Sequence, residues 1–192
     1  MIFNKFLLIF TKCLNQYKMK TKTERILSAT QVVMWIIFIG LCIQTGATVV
    51  SYAVSFYNPE AAKNLYMGLN FSELRQYDIG RYQAMVFFVV ALGTMKAYIA
   101  YLTIKIFKEI NLSQPFSMEV ARLIQKISQA AFIAGLVALI AYGYTESLHN
   151  NGLKVNYNWP AGEFLLLAGV VFTIARVFKK GVELQSEHEL TI

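Results

Sequence analysis

Residues 82–104 read YQAMVFFVVALGTMKAYIAYLTI, and this stretch decides the fold. Arg81 precedes it, Lys105 follows it, and Lys96 is the one charge inside it. As a helix rising about 1.5 Å per residue, it is long enough to cross about 30 Å of hydrocarbon. It therefore reads as a transmembrane span. Lys96 lies nine residues before Lys105, roughly 13 Å from that end and close to the midplane. A lysine at that depth costs about 2.5–3.5 kcal/mol on insertion scales and ordinarily faces a bundle interior or a wet cavity. Lys96 is accordingly the first functional candidate.

The rest of the chain has the same character. Of its 192 residues, 56% are hydrophobic and 15% are charged, with a mean hydropathy of +0.46. Soluble domains carry about 25% charged residues, so this is a membrane composition. Charge-free stretches place spans at 31–56, 82–107, between Lys126 and Glu146, and at about 160–178, with Pro160 suited to a first helical position. The expected fold class is all-α, a polytopic membrane protein of four transmembrane helices. Its expected organisation is a basic N-terminal segment at 1–25, a membrane domain at 26–180 and an acidic tail at 181–192. Small residues four apart provide sites for close helix approach: Gly93 and Ala97, Ala131 and Gly135, Ala134 and Ala138, Gly169 and Thr173.

Charge placement sets the expected orientation. Thirteen lysines and arginines fall in the N-terminal segment, the connection between spans two and three, and the tail, against four (Lys63, Arg75, Arg81 and Lys154) on the other side. The positive-inside rule then puts both termini in the cytoplasm. The formal charge of +7 is thus a topological feature, and direct nucleic-acid binding is not expected. Residues 1–18 repeat Phe3, Phe6, Leu7, Phe10, Leu14 and Tyr17 at helical spacing. They read either as an amphipathic helix on the inner leaflet or as sequence preceding a translation start at Met19. After the second span, Ser117 is a candidate N-cap with Glu119 in the first turn. Val120, Leu123, Ile124 and Ile127 form an apolar stripe, with Arg122 and Lys126 away from it. A short cytoplasmic amphipathic helix before the third span is expected, bending into that span or continuous with it.

No catalytic pattern occurs: no G-x-S-x-G, H-E-x-x-H, phosphate loop or Cys-x-x-Cys. Cys13 and Cys42 have no metal-ligand spacing, Cys42 reads as a small buried hydrophobe, and His149 and His188 are isolated. The expectation is a non-enzymatic protein without cofactor or metal. Glu163 is the second intramembrane candidate, but first-turn acids suit a helix N-terminus. Its depth, roughly 17 Å from that of Lys96, argues against an ion pair between them. Beyond Lys180, the tail mixes Glu183, Glu187 and Glu189 with Leu184 and Leu190, and it is the candidate docking segment for a basic partner. The alternative is a solvated continuation of span four that frays after Gly181.

Two motifs carry a family resemblance. Asn111-Leu112-x-x-Pro115-Phe116-Ser117 with its following helix, and the ending Glu183-x-x-Ser186-Glu187-x-Glu189-Leu190-Thr191-Ile192, resemble the bacterial membrane family called domain of unknown function 2975. The resemblance covers about 19–192. It implies a four-span protein of the bacterial cytoplasmic membrane, often encoded beside a small helix-turn-helix regulator. The expected function is therefore a membrane-side partner or sensor controlling a cytoplasmic DNA-binding regulator. The alternatives are a small-solute or ion transporter organised around Lys96, and an immunity protein against a membrane-active toxin.

Overall fold

The computed structural model describes residues 22–110, 116–153 and 155–189, with the side chains of 22, 188 and 189 excepted. The elements are α1 (Lys22–Tyr57), a 3-10 turn (Pro59–Lys63), α2 (Ser72–Tyr77), α3 (Ile79–Glu109), α4 (Met118–Asn150) and α5 (Ala161–Glu189). No strand occurs among the described residues. Four helices, α1, α3, α4 and α5, are long and apolar enough to cross a membrane, which makes this an all-helical, multi-pass membrane protein. The N-terminal stretch at 1–18, the turn positions Asn111, Leu112 and Pro115, and Lys154 lie outside the described residues.

The helices overrun the charge-free stretches because charge ends a hydrophobic span without ending a helix. Ser117 caps α4 as its sequence predicts, its hydroxyl accepting from the Val120 N–H at 3.2 Å. The amphipathic segment is continuous with the third span, the two forming one helix, Met118–Asn150. The stripe of Val120, Ile124 and Ile127 is buried, with Val120 and Ile124 packed beside Ala175 of α5. It therefore faces protein instead of a leaflet surface. At the other end, Gly152 adopts φ +81 after α4, as the Asn151–Gly152 turn requires. The N–H groups of Gly152 and Leu153 return to the His149 and Leu148 carbonyls, which closes the helix C-terminus.

Helix α5 starts at Ala161, with the Pro160 carbonyl accepting from the Phe164 N–H at 3.2 Å, so Pro160 stands just outside the helix. The helix runs through Gly181 instead of fraying there. Lys180 and Glu183 pair at 3.3 Å, the Ser186 hydroxyl donates to the Glu183 carbonyl, and the Phe116 ring covers Gly181 so closely that a Cβ would fall 2.7 Å from it.

Packing follows chain order: α1 on α3, α3 on α4, α4 on α5. Two glycines make the seams. A Cβ on Gly93 would lie 2.5 Å from Thr45 Oγ1 of α1, and one on Gly135 would lie 2.7 Å from Leu165 Cδ2 of α5. Ala131, Ala134 and Ala138 are fully buried beside the second seam, and the Ser128 hydroxyl donates across it to the Ala168 carbonyl at 3.0 Å. Small residues thus bring α4 and α5 close enough for a backbone carbonyl of one to be reached from the other. Gly169 and Thr173 do not serve this purpose, since a Cβ at Gly169 meets nothing and Thr173 is exposed. Cys42 is exposed instead of buried. It belongs to α1, which packs chiefly on α3 and leaves Ile36, Ile43 and Val50 uncovered.

Gly135→Ala is expected to lower the stability of the detergent-purified protein by about 1–3 kcal/mol, the usual cost of overpacking. Gly169→Ala should leave it unchanged or slightly raised. Thermal unfolding of the two variants side by side measures this, and equal midpoints would remove the close α4–α5 seam.

Candidate functional site

The connections at 58–78 and 151–160 build an ordered cap over one end of the helices. Asn58 opens it, its side chain accepting from the Glu60 N–H at 3.1 Å with Pro59 beginning the 3-10 turn. Ala62, Leu65, Phe71 and Leu74 are the buried residues of its first connection. Backbone bonds from Leu65 to Leu69 and from Phe71 to Ala62 fold the intervening loop, and the Asn64 side chain accepts from the Gly68 N–H at 3.0 Å. The tight turn puts Met67 at φ +47 and Gly68 at φ +85, in the left-handed region. Asp78 closes the cap by accepting from the Arg81 N–H at the start of α3.

Trp159 fixes the second connection. Its Nε1 donates to Thr145 Oγ1 of α4 at 2.8 Å, and the Thr145 hydroxyl donates to the Ala141 carbonyl, with Met85 Sδ of α3 3.8 Å away. The Trp159 ring lies 6.2 Å from that of Phe88 and 4.4 Å from that of Tyr157. Phe88 is seven residues past Arg81, so the connection dips about 10 Å below the level of Arg81 before α5 begins. Across the cap, the Tyr82 hydroxyl donates to Ser55, which donates in turn to the Tyr52 carbonyl, tying α1 to α3.

Two cavities remain under the loop at 66–70. One, about 310 Å³, lies between Gln44 and Thr48 of α1, Val89 of α3, and Tyr66, Asn156 and Tyr157. The other, about 390 Å³, is bounded by Asn70, Glu73, Leu74 and Val155. Gly68 and Asn156 border both. Burial pushes the Tyr157 phenol above its ordinary range, so it lines the first cavity as a neutral hydroxyl at physiological pH.

The dip explains where Lys96 ends. Its amine lies 5.9 Å from the centroid of the Phe164 ring, a cation–π contact between α3 and α5. Lys96 is eight residues past Phe88, and Phe164 is five past Trp159. The two positions therefore differ by only about 4–5 Å in depth. A side chain leaning toward the helix N-terminus covers that difference. The 17 Å separation inferred from sequence puts Pro160 and Arg81 at one level, which they do not share. Glu163 points away, exposed in the first turn of α5. Among the described residues no ion pair joins it to Lys96. Thr45, Thr94 and Thr173 donate their hydroxyls to carbonyls of their own helices.

The remaining candidates gather at the opposite, basic end. Glu183 is paired with Lys180, Leu184 and Glu187 are exposed on the last turns of α5, and Leu190 and the side chain of Glu189 lie outside the described residues. Ser117 and Glu119 occupy the start of α4, with exposed Arg122 and Lys126 one and two turns on. Sequence reading does not single out the cap cavities, although Gly68, Asn70 and Asn156 mark turns there. It also does not pair Arg122 with Arg176 and Lys179, which border one cleft between α4 and α5. The antiparallel order of adjacent helices is the available clue, since it sets the start of one beside the end of the next. Among the described residues no three His, Cys, Asp or Glu side chains are grouped as metal ligands.

A family model described as protein of unknown function (DUF2975) matches residues 56–192. The chain belongs to that family. Its match takes in α3, α4, α5 and the cap, and starts at the end of α1. No curated protein matches the chain, and no solved structure does.

Lys96→Leu should insert and fold, with an unfolding temperature equal to or above that of the parent, because it removes an amine whose contact here is an aromatic ring. Phe164→Ala should cost about 3–5 kcal/mol through loss of a buried ring. A destabilisation by Lys96→Leu as large as that of Phe164→Ala would show the amine to be a structural tie.

Proposed function

We propose that this protein is a non-enzymatic sensor in the bacterial cytoplasmic membrane, with both termini in the cytoplasm, that controls a small helix-turn-helix regulator. The observation that carries this reading is the continuity of α4 and α5. Both run without proline from the cap to the basic end. Their 33 and 29 residues extend about 50 Å and 43 Å, against about 30 Å of hydrocarbon. Prolines and insertions are the usual causes of sharp helix bends. A ligand that alters cap packing around Trp159 would therefore shift the far ends of both helices as rods.

Orientation rests on the balance of thirteen basic residues against four. In that orientation the cap cavities face outward, and Glu183, Leu184, Glu187, Glu189 and Leu190 end in the cytoplasm. An acidic segment with aliphatic side chains suits a basic DNA-binding partner. Control then works by population shift: the signal binds one arrangement of cap and helices better than the other, and the tail holds or releases its partner accordingly. A second reading is a small-solute or ion pathway. The cavity between Gln44, Thr48 and Val89 favours it, since Val89 stands two turns from Lys96 on α3.

Crosslinking in native membranes followed by affinity capture tests the sensor reading. The full chain should recover a DNA-binding protein, and a chain lacking 183–192 should lose it at unchanged membrane abundance. Equal recovery by the shortened chain would move the contact off the tail, and recovery of no DNA-binding protein by either would end the regulator reading.

A further inference from the structure

At the basic end, α4 and α5 leave a cleft of about 210 Å³. Arg122 and Gln125 border it from α4, and Arg176 and Lys179 from α5, with Ala121 and Ala175 between them. The two alanines are buried, at 5% and 6% exposure, so the cleft has an apolar floor beneath a cationic rim. No carboxylate borders it. Of the described cations at this end, Lys180 pairs with Glu183, Lys105 and Lys108 lie over the Tyr101 and Trp35 rings, and Lys126 is exposed outside the cleft lining. Among the described residues Arg122 and Lys179 have no acidic partner, and Arg176 lies 4.9 Å over the Phe172 ring of its own helix. Three like charges thus converge from two helices distant in sequence. A positive-inside bias requires charge at this end, but it does not require convergence on one cleft.

The cleft also stands where the spans stop. The charge-free stretch of α4 begins at Ile127, one residue past Lys126, and that of α5 ends at Ala175, one residue before Arg176. Phe172, exposed and bordering the cleft, continues it toward the apolar faces of the helices. A ligand that fits carries a compact anion at the polar boundary and hydrocarbon immediately inside it. We propose that this cleft binds the phosphate headgroup of an anionic phospholipid. Arg122 and Arg176 bond the phosphate oxygens, Lys179 adds charge, and Gln125 supplies an amide donor. The occupant bridges α4 and α5 at the end of the pair remote from the cap, independently of which regulator or solute the protein serves.

The full-length protein, purified in a neutral detergent, is titrated with a phosphatidylglycerol, a phosphatidylcholine of the same acyl chains, and inorganic phosphate, while thermal unfolding is followed. Phosphatidylglycerol should raise the midpoint by several degrees, with phosphatidylcholine and inorganic phosphate having little effect. Arg122→Gln with Arg176→Gln should weaken half-saturation by at least ten-fold, and Lys180→Gln should leave it unchanged. If the double variant does not fold, Lys179→Gln alone, scored by bound lipid in native mass spectrometry, tests the same site, with about a five-fold loss expected. Equal stabilisation by phosphatidylcholine, or half-saturation unmoved in the cleft variants, would overturn the site. A response to inorganic phosphate matching that to phosphatidylglycerol would assign it to a free anion instead.

Discussion

The hydrogen bond from Trp159 Nε1 to Thr145 Oγ1 is the constraint on which the arrangement of the helices depends. An indole buried to 6% exposure needs a partner for its N–H, and a buried donor left unmade costs about 1–3 kcal/mol. Satisfying it at Thr145 draws the 151–160 connection down between α3 and α4. That descent sets the level at which α5 starts, and so decides which residue of α5 meets Lys96. It also brings Tyr157 and Asn156 into the wall of the cap cavity. One donor–acceptor pair thus links the depth of a helix, the surroundings of a membrane-embedded charge and the shape of a ligand-sized space.

Polar groups within the spans are handled in two ways. Thr45, Thr94, Thr103 and Thr173 return their hydroxyls to carbonyls one turn back, so they cost little and bind nothing across the bundle as donors. Ser128, Trp159 and Tyr82 instead reach another element, the first two at α4 and the third at Ser55 of α1. Close α4–α5 contact, permitted by Gly135 and the buried alanines, is therefore both apolar and hydrogen-bonded. The first helix is attached differently, by Gly93 against Thr45 and by Tyr82 with Ser55, and keeps much of its apolar surface uncovered.

The four spans, the Ser117 cap and the Asn151–Gly152 turn are legible in the sequence, because each rests on local chemistry: a charge-free run, a hydroxyl before an amphipathic stripe, a residue free to take positive φ. The same local reading fails where a third element decides the outcome. Val120, Ile124 and Ile127 have the pattern of a surface helix, and only the packing of α5 shows that the stripe is covered by protein. Cys42 sits in a hydrophobic run, yet its helix is peripheral. Counting from span ends as if they were level puts Lys96 too far from the start of α5. Nothing in a hydropathy pattern records that a connection dips. Candidate residues brought together by a seam between helices, such as Arg122 with Arg176, are invisible for the same reason.

The chain has two tryptophans, Trp35 and Trp159, so Trp35→Phe leaves Trp159 as the single indole reporter on the central contact. In vesicles its emission should be blue-shifted and resistant to iodide, and Thr145→Val in the same background should move it to the red and open it to quenching. Emission typical of a water-exposed indole, or a spectrum indifferent to Thr145→Val, would contradict the seating of Trp159 between α3 and α4.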